Sequence, residues 1–266
     1  MKQFSFACFA KKPLLNLAAA ITNGLVTILV FTITQSTPAI ASEKPAPSIP
    51  PTPSSLEWDN FDSSVALKTW RGKTSFVCTA VLINSTTALT AAHCVEDSDK
   101  NQLIYGKSLD DDTAIKIDID QKAIHIHPDY KRKTSNYAND LAIVHLLKPA
   151  KLDSYPKISF APIATGAKLE RIGVGKRGET NHRVWTSAFL LEATPQNLFL
   201  TDSLSVQGDS GGPVYRTVEG KHEDKSDDKT AEKSTVELVA IHSTQINDKK
   251  TAVVWLNSYA NWIKQN

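Results

Sequence analysis

From Val65 onward the chain alternates short β-favouring runs with polar or Gly-containing turns. Val65–Leu67, Phe76–Ile83, Thr87–Ala91, Ala114–Ile119 and Leu141–Leu147 form a first set. After a predicted crossover at Pro149–Pro162, a second set follows: Leu169–Val174, Arg183–Leu191, Pro213–Val218, Val236–Ser243 and Thr251–Leu256. Many short strands at such spacing predict an all-β barrel or sandwich. Val81–Ile83 and Ala142–Val144 are unbroken apolar runs, which predicts strands buried on both faces. Near the end, Tyr259, Trp262 and Ile263 fall at i, i+3 and i+4, so Asn257–Lys264 reads as a short helix with an aromatic face. Glu219–Lys233 is charged, mixed in sign and almost free of apolar residues, the pattern of a solvated insertion between strands. There is no internal repeat.

The first 60 residues have a different texture. Lys2, Lys11 and Lys12 precede an apolar stretch at Gly24–Ile33, and Ala39-Ile40-Ala41 fits a small-x-small cleavage site. Residues 1–41 therefore read as a signal peptide, with Ser42 as the mature start. The competing reading is an uncleaved anchor, since Leu14–Ile33 is just long enough to span a bilayer, although Asn16, Asn23 and Gly24 dilute it. Residues 42–60 carry five prolines (Pro45, Pro47, Pro50, Pro51 and Pro53) and read as an extended leader or linker. This leaves 61–266 as the folded domain, with halves at about 61–150 and 160–266.

Charge and cysteine content narrow the setting. The formal charge is +2, and removing 1–41 takes away three lysines and no acid, leaving 27 basic against 28 acidic residues. That balance calls for neither a nucleic-acid nor a membrane partner. Cys8 leaves with the signal, so Cys78 and Cys94 remain as one even pair, predicted to bridge in an oxidising compartment. A loop of that size contributes about 3 kcal/mol in the chain-entropy model.

The strongest chemical signal is Gly208-Asp209-Ser210-Gly211-Gly212-Pro213. A serine hydroxyl is a weak nucleophile until a base takes its proton, and the oxyanion it creates needs donors already in place. The glycines allow a tight turn that can aim the amides of Gly208 and Ser210 at one point. Thr90-Ala91-Ala92-His93-Cys94 supplies a histidine, and Asn139-Asp140 an aspartate ahead of an apolar strand. Alone, each has a bland structural reading. Together they give His93, Asp140 and Ser210 in the chain order of an Asp–His–Ser relay. An α/β-hydrolase is excluded by motif order, because it places its serine first, on a strand-to-helix turn, whereas Ser210 here follows His93 and Asp140. His125 and His127 could share a strand face and bind metal, but no third ligand is evident and no metal is expected. His145 and His242 are expected to be packed, and His182 and His222 to be exposed.

These motifs resemble the trypsin-like serine protease family of chymotrypsin type. Phe76–Ile83 resembles the strand whose cysteine bridges to the one after the catalytic histidine, here Cys78 and Cys94. Ala123–Tyr130 is similar to an isoleucine-x-His-Pro-x-Tyr segment, and Asn136–Leu146 to an Asn-Asp-Ile-Ala-Leu strand. Gly173-Val174-Gly175 stands in place of Gly-Trp-Gly, and Val239–Ser243 in place of the strand that edges the substrate cleft. The resemblance implies two Greek-key six-stranded β-barrels with the active site between them and a short C-terminal helix. It also implies a secreted or periplasmic, bacterial-looking serine endopeptidase, monomeric, without cofactor, acting on protein or peptide substrates. His93, Asp140 and Ser210 would be catalytic, and Gly208 and Ser210 would form the oxyanion hole. Ser243 would support Asp140 and bind the substrate backbone.

Two departures stand out. No Ile-Val-Gly-Gly motif precedes Val65 to supply a freed amine for Asp209. Counted without gaps, Leu204 occupies the base of the primary pocket, with Gln245 and Thr251 at its walls, so an apolar or small residue would fit. Asp202 takes that place if Leu204-Ser-Val206 replaces a single cysteine, and it would favour Lys or Arg. The alternative function is a catalytically silent trypsin-fold binding module.

Overall fold

The computed structural model describes residues 61–106, 112–132, 137–176, 183–201, 205–218 and 235–266. The signal and leader calls, the Leu204/Asp202 alternative, His182, His222 and the charged insertion lie outside them. Among the described residues, no helix is long and apolar enough to cross a membrane.

The first six strands are β1 (Ser64–Arg71), β2 (Thr74–Leu82), β3 (Thr87–Thr90), β4 (Lys100–Tyr105), β5 (Ile115–Ile126) and β6 (Ala142–Leu146). They close as a barrel in the order β1-β2-β3-β6-β5-β4. The next seven are β7 (Lys157–Ile158), β8 (Lys168–Gly173), β9 (Val184–Ala193), β10 (Asn197–Thr201), β11 (Pro213–Val218), β12 (Thr235–Asn247) and β13 (Lys250–Trp255). Pairing of β11 with β12 closes β8 to β13 into a second six-stranded barrel. The two-residue β7 adds to β12 in parallel, a strand inside the expected crossover. All other pairings are antiparallel, and the two-barrel expectation holds.

The apolar runs explain how the barrels meet. On a strand, successive side chains point to opposite faces. Ala80, Leu82, Ala88, Ala142 and Val144 point into the first barrel, with Val65, Leu67 and Leu103. Their alternates Val81, Leu89, Leu141 and Ile143 pack against Ile172, Leu238, Ile241 and Val254 of the second barrel. A strand serving the interior and the inter-barrel layer must be apolar at every position. The second barrel has its own interior of Leu169, Leu190, Leu198, Leu200, Val239 and Val253.

The chain ends in a 3-10 turn (Leu256–Tyr259) and a helix, α2 (Ala260–Gln265). Leu256, Tyr259 and Ile263 join the inter-barrel layer. Tyr259 and Trp262 also pack on His127, with ring centroids 5.0 and 5.1 Å away. His125 packs instead on His145, so the two i, i+2 histidines serve separate contacts. Burial holds the His127 pKa below its ordinary value, against an opposing pull from Asp129.

Candidate active site

His93 lies on α1 (Ala92–Val95), a single turn whose carbonyls are gathered by Arg71. Arg71 donates to His93 O at 2.6 Å and Glu96 O at 2.9 Å. Asp140 follows Asn139, whose φ of 61° lies in the left-handed region that asparagine tolerates better than most residues. Tyr259 locks this bend: its hydroxyl accepts from Asn139 N at 3.1 Å and donates to Asn139 Oδ1 at 3.0 Å. The C-terminal segment thus sets where Asp140 emerges.

Asp140 is 5% exposed and fully engaged. Oδ2 accepts from His93 Nδ1 at 2.8 Å and from Ser243 Oγ at 2.6 Å, while Oδ1 accepts from His93 N at 2.9 Å. Burial pushes the carboxyl pKa up, but these hydrogen bonds and the attraction to His93 outweigh it and hold it below the ordinary value. A carboxylate accepting from Nδ1–H leaves the Nε2 lone pair on the far side of the ring.

Ser210 is fixed through its backbone. Its carbonyl accepts from Thr79 N at 2.7 Å, and its Oγ donates to Ser243 O at 3.1 Å. Cys94 is disulfide-bonded to Cys78. Its sulfur lies 3.7 Å from His93 Nε2 and 3.8 Å from Ser210 O, touching both. A disulfide sulfur has no proton to donate, so these are packing contacts. For the same reason the grouping of Cys78, His93 and Cys94 offers no thiolate to a metal.

The turn before Ser210 is built from the Gly208–Gly211 motif, joined by Thr79, which a sequence reading passes over. Gly208 has φ of 106° and Gly211 of 84°, both left-handed conformations open to glycine. Thr79 Oγ1 donates to Gly208 O at 2.8 Å and accepts from Val174 N at 3.0 Å, clamping two loops together. Asp209, 4% exposed, accepts from Gly175 N on Oδ1 and from Val206 N on Oδ2, each at 3.0 Å. Gly173 and Gly175 leave room for that carboxylate, and a Cβ on either would overlap Asp209 Oδ1. No hydrogen bond to a described residue occupies the N–H of Gly208 or Ser210.

Gln245 is exposed and pairs across the strands with Thr251. Ser243, by contrast, is buried between Asp140 and Ser210. A cavity of about 230 Å³ opens beside His93 and Asp140, lined also by Tyr130, Tyr137, Ser243 and Thr244. The least anticipated residue is Arg171, 3% exposed on β8. It donates to Ser205 Oγ at 2.6 Å, Thr251 Oγ1 at 3.2 Å and Thr186 Oγ1 at 3.3 Å. Its signal in the sequence is a charged pair, Glu170-Arg171, inside an apolar run.

Comparison with known proteins agrees with the two-barrel fold. The trypsin family model matches residues 58–263. Human chymotrypsin-like elastase family member 1 is 22% identical, over 77% of this chain and 87% of its own length. Mouse vitamin K-dependent protein C is 40% identical over 81 residues, 30% of this chain, which spans only 17% of the length of that relative. Mouse kallikrein-1 is 35% identical over 95 residues, 32% of this chain and 35% of its own. Among solved structures, a scabies mite inactivated protease paralogue superposes with a TM-score of 0.59 at 21% identity. Neuropsin, a serine protease expressed in the limbic system of mouse brain, does so with 0.60 at 18%. Each covers 79% of this chain and 96% of its own. These relatives are animal proteins, so the bacterial character expected from the sequence finds no support. With its two closed barrels and a family match across most of its length, the chain belongs to the trypsin family.

Proposed function

We propose that this protein is a serine endopeptidase that cleaves peptide bonds through an acyl-enzyme. The observation that carries this reading is the Ser243–Asp140–His93 chain of hydrogen bonds beside Ser210. Ser210 Oγ attacks the scissile carbonyl while His93 Nε2 takes its proton. His93 then gives that proton to the leaving amine, and the same exchange with water releases the acid. Asp140, ionised and buried, holds the ring tautomer and stabilises the imidazolium. The amides of Gly208 and Ser210 bind the oxyanion, and their worth comes from being aimed before the charge develops. Ser243 O and the backbone around Gln245 bind the substrate chain as an added strand. No step calls for a cofactor.

Export fits this chemistry. Residues 1–41 would be removed as a signal and 42–60 would remain as a leader, delivering a protease whose disulfide needs an oxidising space. The test is peptide-library hydrolysis by the wild type, Ser210→Ala and His93→Ala. Either variant should lose several orders of magnitude in turnover, because the triad acts as a unit.

A second reading is a catalytically silent binding module. It is favoured by one observation: the Ser210 hydroxyl donates to Ser243 O and not to His93. Folded wild-type protein without measurable hydrolysis would select it.

A further inference from the structure

We propose that Thr79 is a positioning residue for the Ser210 reaction, its hydroxyl holding the Gly208–Ser210 turn so that both oxyanion-binding amides are aimed before substrate arrives. This deepens the hydrolase reading above and rests on it. Thr79 lies fully buried on β2 of the first barrel, yet it grips the turn that carries Ser210 at two places. Its N–H donates to Ser210 O at 2.7 Å, and its Oγ1 donates to Gly208 O at 2.8 Å. The same Oγ1 accepts from Val174 N at 3.0 Å. These directions are fixed, because an amide N–H only donates and a carbonyl only accepts. Thr90 Oγ1 donates in turn to Thr79 O at 2.8 Å, so the clamp is itself anchored on β3.

Gly208 needs such a hold. At a φ of 106° it has no side chain to restrict rotation, and a rotation there would re-aim its N–H. Pinning its carbonyl removes that freedom. Neither the N–H of Gly208 nor that of Ser210 is spent on a described residue, so both can meet a developing negative charge. Donors of this kind act by being in place in advance. Val174 N and Gly175 N are successive amides, one taken by Thr79 Oγ1 and the next by Asp209 Oδ1 at 3.0 Å. Threonine and aspartate thus tie the turn to the segment that follows β8. Without the hydroxyl, Gly208 O and Val174 N would be buried and lack this partner, a state the turn escapes by shifting toward water. The backbone bond from Thr79 N to Ser210 O survives a side-chain substitution, so a variant tests the hydroxyl alone.

The test compares Thr79→Val, which nearly keeps the shape and removes the hydroxyl, with Thr79→Ser, which keeps the hydroxyl. One readout is the rate of labelling by a fluorophosphonate, in which Ser210 Oγ displaces fluoride and the phosphoryl oxygen takes the oxyanion site. The other is kcat and KM for a peptide that the wild type cleaves. Removing one such donor costs about a hundred- to a thousandfold, so misaiming one should lower kcat and labelling about tenfold or more in Thr79→Val, with KM nearly unchanged. Thr79→Ser should recover most of the rate. A folded Thr79→Val protein with wild-type kcat, a loss confined to KM, or a Thr79→Ser protein no better than Thr79→Val would overturn the proposal. Where Thr79→Val does not fold, Thr79→Ala carries the same comparison. Failure of both to fold would overturn the proposal too, since the hydroxyl would then serve stability and not the reaction. Wild-type protein that is labelled no faster than Thr79→Val defeats this inference alone; wild-type protein that is not labelled at all defeats the hydrolase reading and this inference with it.

Discussion

Ser243 of the second barrel donates its hydroxyl to Asp140 of the first at 2.6 Å, across the inter-barrel layer. The bond is short, buried and ends on a charge, so it couples barrel docking to the orientation of His93. Hydrogen bonds to charged groups contribute about 1.5–3 kcal/mol. Ser243→Ala should therefore lower turnover by about ten- to a hundredfold while the backbone contact to Ser210 persists, as steady-state kinetics would show.

Two glycines should respond very differently to alanine. A Cβ on Gly173 overlaps the buried Asp209 carboxylate, whereas one on Gly166 meets nothing within 4 Å. Gly173→Ala should displace Asp209, lower Tm and suppress activity. Gly166 has a φ of 82°, so Gly166→Ala should cost only about 1 kcal/mol of backbone strain and leave activity unchanged. Melting curves and peptide hydrolysis on both variants provide the comparison.

The Cys78–Cys94 bridge sits against His93 as well as in the first barrel. Reduction should cost about 2–5 kcal/mol. Thiol titration of the unfolded, unreduced mature protein should find no free thiol.

Acid should destabilise the protein through Asp140, with a sign that follows from its depressed pKa. The unfolded carboxyl takes up a proton near its ordinary value of 3.8, before the folded one does. The stabilisation is therefore complete above that value and is lost as pH falls through the folded pKa. His127 acts earlier. Its pKa is lowered by burial, so the unfolded chain binds its proton first and stability declines below about 6.5. Chemical denaturation at stepped pH should show both phases. Asp140→Asn should flatten the lower one, and His127→Gln the upper.

The two sets of strands and the C-terminal helix were legible because alternation and apolar runs report burial directly. The continuous runs at Val81–Ile83 and Ala142–Val144 correctly signalled two buried faces. β4 and β10 were not anticipated, since Lys100-Asn101-Gln102 and Asn197 open those strands with polar residues. Both strands are held by neighbours on either side more than by their own propensity. At the site, His93, Asp140 and Ser243 were readable from motifs, and the structure brings them together. Thr79 and Arg171 were not, because their roles depend on side chains reaching across strands to loops distant in sequence.

The most direct test of the central claim is to treat purified mature protein with a fluorophosphonate and map the adduct by mass spectrometry. The expected result is one adduct per chain, on Ser210, absent in His93→Ala because the hydroxyl then has no base. A folded wild-type protein that takes up no label, or takes it up elsewhere than Ser210, would contradict the assignment.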